Sequence, residues 1–152
     1  MSHRFIDSFI YAAQGIRAAV REERNMRFHL CAAFYVYLFS LFYDFSATQY
    51  ALLTIMVVGV MALELVNSSI ERVVERPAPE RYRTAGVVKD MAAGAVLIFS
   101  IGCVVAGIFL FWNVKVFKNI LLFFLAHPVA LIAVLVSFPV AWCFVFRKKG
   151  EK

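Results

Sequence analysis

Charge is what this chain has least of. Only 17% of its 152 residues are charged and 62% are hydrophobic, whereas a soluble domain carries roughly a quarter charged residues. That deficit excludes a soluble domain and points to a membrane protein. Cysteine is scarce as well: Cys31, Cys103 and Cys143 lie far apart inside apolar runs. They have neither the spacing of a zinc ribbon nor the even count of a disulfide framework, and are expected to be small buried hydrophobes. Walker loop, protein-kinase glycine loop, CxxC pair and GxSxG are all missing. Any phosphate chemistry therefore falls to side chains at a membrane edge, not to a glycine-rich cradle. The N-terminus never shows a continuous apolar core ahead of its charges, so no cleavable signal peptide is expected.

What the chain does have is long charge-free stretches, at 28–43, 45–63, 91–114 and 119–146. At about 1.5 Å of rise per residue, each crosses or nearly crosses a hydrocarbon core about 30 Å thick. The expected fold class is thus an all-α integral membrane protein with four transmembrane helices. The first stretch is short, and only Asp44, in FYDFSATQY, separates it from the second. That segment reads as a tight turn at an interface with tyrosines at headgroup depth. Ahead of the spans, Phe5, Phe9, Ala12, Ala13, Ile16 and Val20 recur at helical spacing, with Asp7, Gln14, Arg17 and Arg21 on much of the remainder. This is an amphipathic helix lying on the membrane surface, within residues 1–27; a plain basic anchor is the simpler alternative.

Five basic residues precede residue 28 (Arg4, Arg17, Arg21, Arg24, Arg27). Five more fall between the second and third spans (Arg72, Arg76, Arg81, Arg83, Lys89), and four close the chain (Arg147, Lys148, Lys149, Lys152). By the positive-inside rule, four spans place both termini and the loop 72–88 in the cytoplasm, with Asp44, Lys115 and Lys118 outside. The net charge of +6 sits in these membrane-flanking tracts, which suits anionic headgroups or nucleotide phosphates better than nucleic acid.

The second apolar run leads into ELVNSSIERVVERP, and Glu64, Asn67 and Glu71 stand within about 60° of one another around a helix. A polar stripe on an apolar helix must face protein or a wet cavity, because an ionised carboxylate near hydrocarbon costs about 2.5 kcal/mol or more. Such carboxylates hold Mg²⁺ beside polyphosphate, and one left free of metal can take a proton from an alcohol. The structural alternative for Glu71 is an ion pair with Arg72 or Arg76, and for Asn67 a hydrogen bond that glues helices. Lys89 and Asp90 stand at the threshold of the third span, where a lysine neutralises phosphate and an aspartate at a helix start orients it or binds metal. Ala92, Ala93, Gly94 and Ala95 then keep that helix slim enough to meet another helix or subunit. Glu22, Glu23, Asn25, Arg27 and His29 form a third polar cluster at the same depth; His29 reads equally well as an interfacial residue with a structural hydrogen bond.

AAQGIRAAVREERNMRFH, then ELVNSSIERVVER, then KDMAAGAVL, in that order and spacing, resembles the small integral-membrane lipid kinases of bacteria, the diacylglycerol kinase and undecaprenol kinase family, over residues 5 to 112. The resemblance implies a surface helix and a three-helix transmembrane core over 28–112. It also implies a homotrimer with active sites at the cytoplasmic membrane surface, and transfer of the γ-phosphoryl group of ATP, with Mg²⁺, to a lipid hydroxyl. Glu64 then corresponds to the general base and Asn67 to its hydrogen-bonding partner, and Glu23 and Glu71 to the metal-holding carboxylates. Lys89 corresponds to a phosphate-contacting lysine, with Asp90, Arg17 and Glu23 in the same nucleotide site. Asn25 and His29 in RNMRFH look more like the undecaprenol kinase branch than the diacylglycerol kinase branch. Two departures stand out. Glu75 occupies a position where many members have aspartate, and the apolar segment 118–146 with the basic tail 147–152 extends past the family pattern. His127 and Pro128 within that extension read as a kink with a capped polar side chain.

Overall fold

The computed structural model describes residues 2–75 and 83–147, in six α-helices. Helix α1 spans Ser2–Glu22, α2 Arg24–Ser40, α3 Ala47–Val74, α4 Arg83–Phe111, α5 Val114–Ala126 and α6 Pro128–Val145. Residues 76–82, with Pro77 and Pro79, and the basic residues after Arg147 lie outside the described residues.

Three of these helices, not four, are long and apolar enough to cross a membrane: α3, α4 over Thr84–Phe111, and α6. The four-span expectation is therefore corrected. Helix α2 has 17 residues and opens with Arg24, Asn25, Arg27 and His29, which leaves too short an apolar length. The run 119–146 is not one helix, because it breaks at His127 and Pro128. A proline disfavours helical backbone in the residue before it, and His127 adopts φ −126°, ψ 73°. The His127 ring Nδ1 lies 2.9 Å from the Phe123 carbonyl, so the break is a capped one, as its two residues suggest.

The other boundaries shift in ways that matter for the site. Helix α3 runs eleven residues past the charge-free stretch that ends at 63, so Glu64, Asn67 and Glu71 all sit on continuous helix. Helix α4 begins at Arg83, which puts Lys89 and Asp90 about two turns inside it instead of at its start. The turn between α2 and α3 closes with a capping box, in which Ser46 accepts from the Gln49 backbone N–H and the Gln49 side chain accepts from that of Ser46.

Helices α3 and α4 form the most extensive pair, with α2 packed on α3 and α6 packed on α2. The close approach of α3 and α4 falls at Gly59, where an added Cβ would come within 2.5 Å of the Phe99 ring. The small residues around Gly94 do not serve this purpose within the chain, since a Cβ at Gly94 meets nothing within 4 Å. Along α2, the Tyr35 ring stacks on Phe138 of α6 with centroids 5.0 Å apart, and its hydroxyl meets Ser137 Oγ at 2.9 Å. The cysteines are less enclosed than expected: Cys31 and Cys103 are half-buried and Cys143 is exposed on α6.

Two ends of the bundle follow from these contacts. At one end the start of α2, the end of α3, the start of α4 and the end of α6 meet through charged groups. At the other, Tyr43, Phe45 and Phe111 pack ring against ring, and Phe42 meets Phe123 of α5.

Candidate functional site

The charged end is built around Glu64, which is 2% exposed. A carboxylate so enclosed on a spanning helix needs polar partners. Asn25, near the start of α2, lies beside it, and Glu23 and Glu71 are both close enough to act on it electrostatically. One turn further along α3, Asn67 and Ser68 are also buried. Asn67 Oδ1 is a buried acceptor with no partner among the described residues. A buried amide oxygen left open costs stability unless something else donates to it, and a substrate hydroxyl or water is a donor of the right kind.

Around this centre the helix ends are tied by ion pairs. Arg72 on α3 reaches Glu23 at 2.8 Å and Glu22 at 3.3 Å, joining α3 to the α1–α2 junction. Lys89 on α4 lies 2.6 Å from Glu75 and 3.8 Å from Glu71. Arg72 thus serves Glu22 and Glu23 and not Glu71, the partner that sequence adjacency suggested. All of these groups are partly open to solvent, so each pair contributes little to stability and its members remain available to a charged ligand.

The structure therefore brings Glu64, Asn67, Glu23, Glu71 and Lys89 to one end of the bundle. Arg17 on α1 and Asp90 on α4 are exposed and stand outside this network of direct contacts. The described residues contain no cluster of three or more His, Cys, Asp or Glu side chains, but Mg²⁺ that travels with a polyphosphate needs only one or two protein carboxylates. Glu23 and Glu71 supply that number.

Sequence reasoning missed two members. The Glu75 pairing with Lys89 was signalled only by Glu71 and Glu75 lying four residues apart on one helix face. The closure of Glu64 by Asn25 had no local signal, because 39 residues separate them in the chain.

One turn deeper on both helices, a cavity of about 390 Å³ opens between α2, α3 and α4. Val60, four residues before Glu64, and His29, four residues after Asn25, form its near end, and Phe111 and Gly107 its far end. Its walls, among them Ala33, Leu53 and Met56, are almost wholly apolar. A carboxylate at the charged edge with a hydrocarbon-lined slot beneath it suits an acceptor that has a polar head and an apolar chain.

Residues 10–111 match the family described as prokaryotic diacylglycerol kinase. An undecaprenol kinase of Bacillus subtilis (strain 168) is 33% identical over 109 residues, covering 72% of this chain and 89% of that protein. A diacylglycerol kinase of Escherichia coli (strain K12) is 34% identical over 110 residues, covering 72% of this chain and 90% of that one. A diacylglycerol kinase of Synechocystis is 36% identical over 101 residues, covering 66% of this chain and 58% of that protein. The chain belongs to the prokaryotic diacylglycerol kinase family. It is an enzyme, a multi-pass membrane lipid kinase, with helices α5 and α6 added beyond the matched region.

Proposed function

We propose that the protein transfers the γ-phosphoryl group of ATP, with Mg²⁺, to the hydroxyl of undecaprenol at the cytoplasmic surface of the bacterial inner membrane. The observation that carries this reading is the buried Glu64, beside Asn25 and one turn of α3 beyond Val60, which lines the apolar cavity. Glu64 is the general base. It accepts the hydroxyl proton as the lipid oxygen bonds to the γ-phosphorus and the bond to the β,γ-bridging oxygen breaks, releasing ADP. Asn67, one turn further along α3, is the hydrogen-bonding partner of this base. Lys89 turns from Glu71 and Glu75 to the phosphates, with Asp90, Arg17 and Glu23 in the same nucleotide site. Glu23 and Glu71 would hold the Mg²⁺, which would supply charge stabilisation to the transferring group.

Undecaprenol is preferred over diacylglycerol because, of the two residues that lean toward the undecaprenol kinase branch, Asn25 lies beside Glu64 and His29 lines the near end of the cavity. The near-equal identities to kinases of both names support the shared chemistry only. The homotrimer implied by the resemblance belongs to the same proposal, and light scattering of the detergent-solubilised protein tests it by mass. The kinase itself is tested with γ-labelled ATP and Mg²⁺, offering undecaprenol and diacylglycerol in parallel mixed micelles with Glu64→Gln as the blank. Label in undecaprenol phosphate, absent from the blank, is the expected result. Label in phosphatidic acid alone would replace the acceptor, and label in neither would overturn the proposal.

A further inference from the structure

Arg27 is the most enclosed cation among the described residues, 6% exposed, and no carboxylate lies within ion-pair distance of it there. Its guanidinium is satisfied by backbone carbonyls alone. Nη1 donates to Val20 at 3.4 Å and to Arg21 at 3.0 Å, in the last turn of α1. Nε and Nη2 both donate to Val145, at 3.2 and 3.1 Å, and Nη2 also to Arg147 at 3.4 Å, at the end of α6. The closing carbonyls of a helix have no partner of their own and carry the negative end of its dipole. One planar fork of five donors therefore binds two helix ends at once, a task for which lysine lacks the geometry.

What this fork braces is the junction between α1 and α2. The chain leaves helical geometry there at Glu23, with φ −98° and ψ 123°, and the junction carries Glu23, paired with Arg72, and Asn25, which lies beside Glu64. Helix α6 is seated along α2 by Tyr35 on Ser137 and Phe138, and at its end Arg24 lies 5.7 Å over the Phe146 ring. All of α6 lies beyond the region matched by the family.

We infer that the added helix α6 is part of the working site: through Arg27 it holds the Glu23–Asn25 junction in register with Glu64, and Arg27 is a positioning residue for the phosphoryl transfer. This rests on the kinase reading above, so its test carries one arm that needs no activity.

In the full-length protein, Arg27→Met is expected to lower kcat by roughly tenfold to a hundredfold, the scale of a misplacement on the order of an ångström. The Mg²⁺ requirement rises with it, because Glu23 moves, while KM for the lipid stays unchanged. Arg27→Lys restores part of the rate. Loosening α6 with Ser137→Ala plus Phe138→Ala gives the same signature when Arg27 is present and adds nothing to Arg27→Met. Wild-type kcat and Mg²⁺ dependence in Arg27→Met, or losses that simply add, would overturn the inference.

For the second arm, spin labels at Tyr11 on α1 and Ile101 on α4, both exposed, are placed in a background with the three cysteines replaced by alanine. The distance distribution is expected to be narrow with Arg27 and broad with Arg27→Met. Equal widths would sink the brace whether or not any lipid is phosphorylated. Absence of transfer by the unmodified protein, with broadening still seen, would overturn the kinase reading and leave the brace standing.

Discussion

The two ends of the helix bundle solve the same packing problem with different chemistry. At the aromatic end, Tyr43 donates its hydroxyl to the last carbonyl of α4, at Phe111, and packs edge-on against the same residue's ring, with centroids 5.0 Å apart. Tyr43 is buried, and its contacts are complete within the chain. At the charged end the ties are ion pairs with partly exposed partners, Arg72 to Glu22 and Glu23, Lys89 to Glu71 and Glu75, and one buried acceptor is left open at Asn67. Contacts that are complete hold helices and do nothing else. Exposed ion pairs contribute about 0–1 kcal/mol each, so an incoming phosphate or cation can take over one member at little cost. The difference teaches why the candidate site is assigned to the charged end: its contacts are the exchangeable ones.

Substitutions at the two ends should therefore separate activity from stability. The largest effect is expected for Glu64→Gln, which keeps the shape and the Asn25 contact but cannot accept a proton. Phosphoryl transfer should fall by about 10²–10⁴, the range for loss of a general base, with expression and thermal stability kept; near-full transfer in the labelled-ATP assay would remove Glu64 from that role. Glu71→Gln is expected next. Its effect should be a much higher Mg²⁺ concentration for half-maximal rate, and an unchanged Mg²⁺ titration would take Glu71 out of the metal set.

Between the ends, Gly59→Leu forces the Phe99 ring away from α3. Overpacking of this kind costs roughly 1–3 kcal/mol, to be seen as a lower thermal midpoint in detergent, whereas Gly94→Ala should cost nothing within the chain. Equal behaviour of the two glycines would refute the assignment of the close approach to Gly59. The smallest change is at the aromatic end. Tyr43→Phe removes one hydrogen bond, worth about 1 kcal/mol, and should lower the midpoint slightly with no change in kcat. A loss of activity there would break the division between the two ends.

Much of the site was legible in the sequence because helical periodicity is local. Glu64, Asn67 and Glu71 fall on one face by spacing alone, and α3 presents them on unbroken helix. Charge-free runs found α3 and α4 because length and hydropathy are additive along the chain. The same reasoning overcounted the spans. It counted the short stretch 28–43 as a span although α2 ends at Ser40 and opens on Arg24 and Arg27, and it took 119–146 as one kinked helix where Pro128 separates α5 from α6, of which α6 still spans.

The sequence by itself determined the class: a chain this poor in charge can bury its surface only in lipid, and its polar stripe on an apolar helix demands a site. Only the tertiary structure decided which groups meet. Asn25 comes beside Glu64, Arg72 turns to Glu22 and Glu23, and Arg27 grips the end of a helix 118 residues away. These pairings depend on which helix ends come together and at what angle. That is set by close packing among side chains distant in sequence, and no local pattern carries it.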